Sequence, residues 1–344
     1  MELFLQQSPY VRLKNKLKCI SIFNRIAYLK NKYKSLKRIR DNISNYEKDY
    51  IMYSTDLSGD YDEKSRRRLI IIETHILEKG LSHTDFRPGF GRQNVIDLQN
   101  NIIAYLQEQN VDQFAVDNAL SILQLYHQTN EVFNFSDVDY VDISLFEHKE
   151  LKYLVPYDLD IRKNFTVEEC KNIFNSRHSI RLYDEDGGEV ENQLLYDVIE
   201  LANTAPSACN RQATHVFAIK KKELFEKIET THGGCKGFGR HASLFLFVTS
   251  DLSLYSSNEV KLPIYDAGIY TMNLLYALQA NGLYACPLNA SLPGKSNEMH
   301  QLTGIPNNFD INGLIAVYKI ENDINCKIAA SPRRDAKEVL SILD

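Results

Sequence analysis

The spacing of apolar and polar residues divides the chain into a helical first half and a second half in which helices and strands alternate. Residues 62–128 place apolar side chains every three to four positions, in three stretches typical of amphipathic helices. Gly80 near the end of the first stretch predicts a helix stop. Residues 129–165 lose this spacing and gain aromatic residues and aspartates, as a connecting segment would. We therefore predict a domain boundary at residue 165.

From residue 166 onwards, helical stretches alternate with short apolar runs. "TVEEC" begins a helix with Thr166 and Glu169 placed to form a capping box. The predicted strands are "THVFAIK", "ASLFLFVTS", "LYACPLNA" and "NGLIAVYKI". The long helix "PIYDAGIYTMNLLYALQANG" is apolar on nearly all sides, so we expect it in a core or a subunit interface. This pattern predicts an α+β fold over residues 166–344, a mixed sheet flanked by helices, after an all-helical N-terminal extension over 1–165.

Charge is distributed unevenly along the chain. Residues 11–50 carry a net charge of +9, whereas the whole chain carries −5. The stretch has the pattern of an amphipathic helix, and we favour its docking on the rest of the protein by its apolar stripe. Peripheral contact of residues 11–50 with an anionic membrane surface stays open, and we expect no nucleic-acid partner.

Composition excludes several classes of protein. No stretch reaches the roughly 18 apolar residues that would span a bilayer, and the first apolar run is too short for a secretory signal, so we expect a cytoplasmic protein. The six cysteines are far apart and form no CxxC pair, which indicates neither a disulfide framework nor a zinc site. HExxH and GxSxG motifs are also absent. We expect no metal and no catalytic side-chain nucleophile.

The stretch "SRHSIRLY" concentrates potential phosphate ligands. Arg177, His178 and Ser179 supply a guanidinium, an imidazole and a hydroxyl at consecutive positions, and donors of these kinds bind phosphate oxygens. The alternative is a surface basic cluster that pairs with "DEDGGE" immediately downstream. These residues alone leave both interpretations open.

Four stretches in sequence order resemble the flavin-binding signature of the nitroreductase family. They are "SRHSIRLY", "APSACNRQ", "DAGIYTMNLLYALQANGLYACPLN" and "SPRRDAKEV", and the resemblance covers roughly residues 170–344. It implies a homodimeric α+β fold that binds FMN at the subunit interface. It also implies reduction by NADH or NADPH and transfer of electrons to an electron-poor small-molecule acceptor.

The resemblance also implies which residues bind the cofactor. Arg181 is expected to face N1 and O2 of the flavin ring, where a fixed cation raises the reduction potential. The ribityl phosphate is expected on Arg177, His178 and Ser179. The other expected cofactor-binding residues are Pro206, Ser207 and Asn210 on a loop from the partner subunit, Pro287, Leu288 and Asn289 near ring atom N5, and Arg333 with Arg334 in a C-terminal phosphate clamp.

Some positions depart from the family pattern or stand outside it. Ala213 and Thr214 follow Gln212 where an aromatic residue is frequent, which alters the acceptor pocket, and Ser331 replaces a lysine of the phosphate clamp. "GGCKGFGR" lacks the features of a nucleotide loop, and we interpret it as a flexible active-site loop. Cys209 and Cys286 are expected to be packing residues.

We therefore predict an FMN-dependent NAD(P)H oxidoreductase with a helical extension. "THILEKGLSHTDFRPGFGR", which contains Arg87, is either a lid or part of an interdomain ion-pair network. A weaker resemblance of this stretch suggests a link to surface-polysaccharide metabolism. One alternative is a specialised branch that oxidises or dehalogenates a metabolite, or consumes the flavin. Another is a non-catalytic flavin-binding scaffold that docks through its basic N-terminal arm.

Overall fold

The computed structural model of the chain describes residues 21–54, 63–83, 85–147, 166–290, 292, 295–320 and 327–343. By its internal contacts the chain divides into two compact units, Met1–Asp49 and Tyr50–Asp344. Most of helix α1 (Ser21–Tyr53) belongs to the first unit, and Ile26, Leu29 and Tyr33 on it are exposed. Residues 11–20 of the basic stretch lie outside the described residues.

The second unit begins with a group of helices that has its own core, as the apolar spacing predicts. These are α2 (Glu63–Leu81), α3 (Arg92–Tyr105) and α4 (Gln113–Val132). The side chain of Asp112 caps α4 by accepting a hydrogen bond from the backbone N–H of Ala115. The buried residues of this core include Ile70, Leu77, Val95, Leu98, Ile102, Val116, Leu120 and Leu123.

Gly80 is not the stop of α2, because the helix continues to Leu81. A Cβ at Gly80 would lie 1.9 Å from Cε2 of Phe90. The glycine therefore makes room for the Phe90 ring, which in turn packs against Tyr126 at a centroid distance of 5.3 Å. The predicted helix stop is wrong, and close packing is the reason for a glycine here.

The sheet consists of four antiparallel strands in the order β1-β2-β4-β3. The strands are β1 (Thr214–Ile219), β2 (Leu244–Asp251), β3 (Leu283–Asn289) and β4 (Phe309–Lys319), and all four coincide with predicted strands. In this register Phe247 lies opposite Leu314 and Cys286 lies opposite Ala316. Strand β2 is buried along its whole length, so apolar layers cover both faces of the sheet.

Helices flank the sheet on both sides. The helices packed on the sheet are α6 (Asn192–Ala202), α7 (Phe225–His232), α8 (Leu262–Ala280) and α9 (Ser296–Thr303), whereas α5 (Val167–Ser176) and α10 (Ala336–Val339) have no buried residue. The capping box of Thr166 and Glu169 begins α5 as predicted. On one face of the sheet, Leu274 and Leu278 of α8 share a cluster with Leu246. The predicted α+β fold is confirmed.

The connection between the helical part and the sheet part is only partly described. Helix α4 extends to Val132, and Val141 and Phe146 are buried against the helical core beyond it. Residues 148–165, which contain the predicted boundary, lie outside the described residues, so that boundary stays a prediction. Within the described ranges, no helix is long and apolar enough to cross a membrane.

Candidate active site

The segment after α5 runs along the outer edge of β3. Ser179 forms an isolated parallel bridge with Ala285, and the N–H of Ile180 donates to the carbonyl oxygen of Ala285 at 3.0 Å. Strand β3 continues from Ala285 to Asn289. The fold therefore brings "SRHSIRLY" beside the strand that carries Pro287, Leu288 and Asn289, two motifs that are about a hundred residues apart in sequence.

Arg177 and His178 have no hydrogen-bond or ion-pair partner among the residues that the structure describes. Arg177 and Ser179 are half-buried and His178 is exposed. Within the described part of the chain, no hydrogen bond or ion pair joins Arg177 or His178 to the downstream acidic run. In that run Asp186 instead bonds Nδ1 of His241 at 2.7 Å. The structure thus gives no support to the interpretation of the motif as an internally paired surface cluster.

Arg181 is held on the inner side of the same segment. Its guanidinium carbon lies 5.6 Å from the centroid of the Phe238 ring, and Nη1 lies 3.4 Å from the carbonyl oxygen of Ser179. Burial raises the pKa of the Cys286 thiol, an effect that the nearby Arg181 cation partly offsets. Cys286 is fully buried, as expected of a packing residue.

The carboxyl end of β3 is fixed by a histidine that the sequence analysis did not identify. Nε2 of His232 lies 2.6 Å from the carbonyl oxygen of Asn289, and Nδ1 accepts from the N–H of Gly234 at 3.0 Å. Because Nδ1 is the acceptor, Nε2 carries the proton and donates to Asn289. His232 at the end of α7 therefore positions a residue that we expect beside the cofactor ring.

The loop "APSACNRQ" has an unusual backbone. Cys209, Asn210 and Gln212 have φ values of 53°, 51° and 50°. For residues with a side chain this left-handed conformation costs on the order of 1 kcal/mol each, least for asparagine. Ser207 closes the loop, because its Oγ accepts from the N–H of Gln212 at 2.9 Å. A loop with this backbone needs support from its surroundings.

Arg211, a second residue that the sequence analysis missed, supplies part of that support. Its residue is 3% exposed, and its Nε donates to the carbonyl oxygen of Ala208 at 3.0 Å. Its Nη1 donates to the carbonyl oxygen of Leu254 at 2.9 Å and to Oε2 of Glu259 at 2.8 Å. Its Nη2 donates to Oε1 of Glu259. Burial acts to raise the pKa of Glu259, but the hydrogen bonds from Arg211 and Ser256 lower it to about 2.

A cleft of about 280 Å³ opens beside this loop. Its lining includes Pro206, Ser207, Thr214, Asp266 and Tyr270. The cleft lies just below the roughly 300–1,000 Å³ of pockets that hold small molecules. The cleft is therefore slightly smaller than a typical small-molecule pocket.

The fourth motif is exposed. Arg333 bonds the carbonyl oxygen of Ser331, and Nη1 of Arg334 lies 3.4 Å from Oε2 of Glu338. Residues 327–343 are exposed throughout. The predicted role of Arg333 and Arg334 in a phosphate clamp stays a prediction.

The loop "GGCKGFGR" is firmly attached, which corrects the expectation of a flexible loop. The buried carboxylate of Glu229 accepts from the N–H groups of Gly237 and Arg240, both at 2.9 Å, and from Nη2 of Arg240 at 2.8 Å. Burial acts to raise the pKa of Glu229, but these hydrogen bonds lower it to about 2. Cys235 and Phe238 are buried in the core. The loop serves to present Phe238 to Arg181.

The turn that contains Arg87 belongs to the far end of the helical group. Phe86 packs on Phe133 at 4.9 Å, and the N–H of Gly89 donates to Asn130 at 2.7 Å. Arg87 is exposed. At a rise of 1.5 Å per helical residue, the turn starts about 20 Å along α2 from Arg68, which lies near the beginning of that helix. Its predicted role as a lid stays a prediction.

Comparison with known proteins agrees with the first two motifs. The model of the nitroreductase family matches residues 175–232, a range that contains both Arg177 and the loop of Ser207. Residues 175–232 are therefore similar to the nitroreductase family.

Two curated relatives of the chain share the name "Putative NADH dehydrogenase/NAD(P)H nitroreductase". The one from Archaeoglobus fulgidus is 24% identical over 155 residues, which cover 44% of this chain and 85% of the relative. The one from Methanothermobacter thermautotrophicus is 28% identical over 144 residues, 41% of this chain and 69% of the relative. Among solved structures, an FMN-dependent nitroreductase from Clostridium difficile R20291 is 16% identical, with 50% of this chain and 98% of that chain covered and a TM-score of 0.41. A likeness at that level carries no inference about function.

Proposed function

We propose that this chain is an FMN-dependent oxidoreductase that takes its electrons from NADH or NADPH. The family match to residues 175–232 and the names of the two curated relatives support this reading. When bound, FMN accepts a hydride and passes electrons on to a second substrate. The protein's own task is then to bind the cofactor, orient it and set its electrostatic surroundings.

The observation that carries the proposal is the position of Arg177 and Ser179 beside strand β3. Ser179 is bridged to Ala285, which keeps the segment against the sheet. The side chains of Arg177 and His178 have no hydrogen-bond or ion-pair partner among the described residues, so their donors can bind an external anion. A guanidinium, an imidazole and a hydroxyl together fit the phosphate of FMN, which accepts several charge-assisted hydrogen bonds.

Arg181 and the end of β3 would serve the ring of the cofactor. We assign Arg181 to the edge of the ring that contains N1 and O2, where a fixed cation raises the reduction potential. Its contact with Phe238 supports this role, because the contact restrains the guanidinium. We assign Pro287, Leu288 and Asn289 to the reacting side, since His232 restrains the backbone of Asn289.

A second copy of the chain would complete the site. Pro206 and Asn210 are exposed, and the cleft beside Ser207 is small for a cofactor. Large apolar side chains are also exposed, which is typical of a surface that another protein covers. They include Phe174 at 62%, Ile264 at 55%, Tyr265 at 63%, Leu340 at 65% and Leu343 at 93%. A homodimer would cover this surface and bring in the partner's loop and C-terminal arginines.

The acceptor is proposed to be an electron-poor small molecule. The predicted link to surface-polysaccharide metabolism and the membrane contact of residues 11–50 rest on sequence pattern alone.

Anaerobic spectroscopy tests the proposed reaction. The chain is loaded with FMN, and NADH or NADPH is added while the yellow flavin absorbance is followed. We expect at least one nicotinamide to bleach the bound flavin. A chain that binds FMN but is bleached by neither would be a flavin-binding scaffold and would contradict the proposed activity.

A further inference from the structure

Two consecutive arginines of α2 hold two carboxylates in the part of the chain that forms the sheet. Arg67 donates from Nη1 to Oδ2 of Asp251 at 3.0 Å, and from Nε to Oδ2 of Asp112 in its own helical group at 2.7 Å. Arg68 forms an ion pair with Glu259, with Nη2 3.4 Å from Oε2. These ion pairs join the helical group to the part of the chain that forms the sheet, and neither arginine belongs to the stretch around Arg87 for which an ion-pair network was one interpretation.

Both carboxylates are connected to Arg211, Glu259 directly and Asp251 through a backbone turn. Glu259 binds the Arg211 guanidinium through both of its oxygens. Asp251 begins the short 3-10 turn Leu252–Leu254, and the carbonyl oxygen of Leu254 accepts from Nη1 of Arg211 at 2.9 Å. The Arg211 side chain is only 1% exposed, so its charge is stabilised by these partners and not by water.

Arg211 in turn holds the centre of the strained loop. Its Nε bonds the carbonyl oxygen of Ala208, while the N–H of Ala208 donates to Oδ1 of Asp266 at 3.2 Å. Ala208 is thus fixed on both sides of its backbone, directly before the left-handed residues Cys209 and Asn210. Their side chains do not favour that conformation, so the contacts of Arg211 and Asp266 impose it.

We propose that helix α2 braces the cofactor loop, and that Arg68, acting through Glu259 and Arg211, keeps Ser207 and Asn210 in the geometry in which they bind FMN. This inference rests on the proposed FMN dependence. Arg68, Glu259 and Arg211 are positioning residues, because none of them is assigned to the cofactor itself. The helical extension contributes to cofactor affinity in this way without covering the site.

Arg68, Glu259 and Arg211 belong to one network of ion pairs. Without the Arg68 guanidinium, Glu259 loses one of its two arginine partners and is freer to move together with Arg211. Groups in one ion-pair network show coupling energies large enough to alter an affinity several-fold. The strained loop then has less support and samples conformations in which Ser207 and Asn210 no longer meet the ligand.

The test compares Arg68→Met with Arg66→Met in the full chain. Both changes keep an aliphatic stem and remove a guanidinium from the same helix, but Arg66 pairs with Glu108 within the helical group. We expect Arg68→Met to raise the Kd for FMN by about fivefold, and Arg66→Met to leave it within about twofold. In the FMN-free protein, amide hydrogen exchange of residues 206–212 should accelerate in Arg68→Met and not in Arg66→Met.

The outcomes separate this inference from the proposed function. If the unchanged chain binds no FMN, the proposed function and this inference with it are overturned. If the chain binds FMN and both variants bind it equally well, or are weakened equally, only the brace is overturned. If amide hydrogen exchange of the loop is unchanged in Arg68→Met, the brace is overturned whatever the affinity for FMN. If only the melting temperature falls, with Kd and exchange unchanged, Arg68 is a purely stabilising residue and the brace is likewise overturned.

Discussion

His232 donates a hydrogen bond from Nε2 to the carbonyl oxygen of Asn289, over 2.6 Å. The bond joins the last residue of α7 to the last residue of β3. Since the ring also accepts from Gly234, both nitrogens are used and the orientation of the imidazole is fixed. Asn289 lies at the strand end that we assign to the reacting side of the flavin, so the bond should matter for reaction geometry more than for cofactor affinity.

Replacing His232 by phenylalanine should slow flavin reduction. Phenylalanine keeps an aromatic ring but cannot donate, so the backbone at Asn289 loses about 1 kcal/mol of restraint. We expect the rate of reduction by NADH or NADPH to fall roughly fivefold in stopped-flow measurements, with the Kd for FMN nearly unchanged. His241→Phe is the control, since His241 bonds Asp186 away from β3. Equal rates of flavin reduction in the two variants would show that His232 has no role in the site.

Arg177→Ala should weaken FMN binding. A hydrogen bond to a charged phosphate contributes about 1.5 to 3 kcal/mol, and Arg177 has no competing partner among the described residues. Equilibrium dialysis should show this loss. Arg92→Ala, which removes an exposed arginine paired with Asp137, should leave the affinity unchanged. An unaltered Kd in Arg177→Ala would return the motif to a surface cluster.

Sedimentation should find a dimer whose stability depends on the exposed face of α8. Ile264→Asp places a charge where an apolar side chain is 55% exposed, and we expect it to shift the protein towards monomer and to reduce bound FMN. Val132→Asp changes another exposed apolar residue, on α4, and should alter neither property. A monomer that binds FMN stoichiometrically would contradict the shared site.

The stability of the helical group should depend on pH through Glu73. Burial raises the pKa of the Glu73 carboxyl to about 7, although a hydrogen bond from Asn101 acts to lower it. A raised folded-state pKa means that the charged form costs stability, and this cost grows as the pH rises from about 4.5 through 7. Glu73→Gln should therefore raise Tm at pH values above 7 and change it little below about 4.5. The exposed Glu200→Gln should show no such difference, and a Tm gain of Glu73→Gln that is equal at both pH values would contradict the assignment.

Local patterns allowed most of the fold to be predicted. The four strands are apolar runs, and the helix start at Thr166 carries its own capping signal, so neither depends on distant residues. Gly80 shows the limit of such signals. A glycine near a helix end indicates a stop in most proteins, but here the ring of Phe90 requires it, and that contact follows from tertiary packing.

The supporting residues of the site could not be predicted for a related reason. Arg211 stands inside a recognised motif, yet its role depends on Glu259, which is 48 residues away in sequence. Glu229 gave no signal because a single glutamate on a helix is ordinarily exposed, and only its burial beside Arg240 shows that it fixes the loop. The residues proposed to bind phosphate stood out in the sequence because their chemistry is local to one short segment.

Equilibrium dialysis of FMN against the unmodified chain tests the central claim most directly. The account predicts that the protein compartment retains FMN in a stoichiometric amount, and that added inorganic phosphate competes with it because the Arg177 segment binds the phosphate group. An equal FMN concentration on both sides of the membrane would contradict the account.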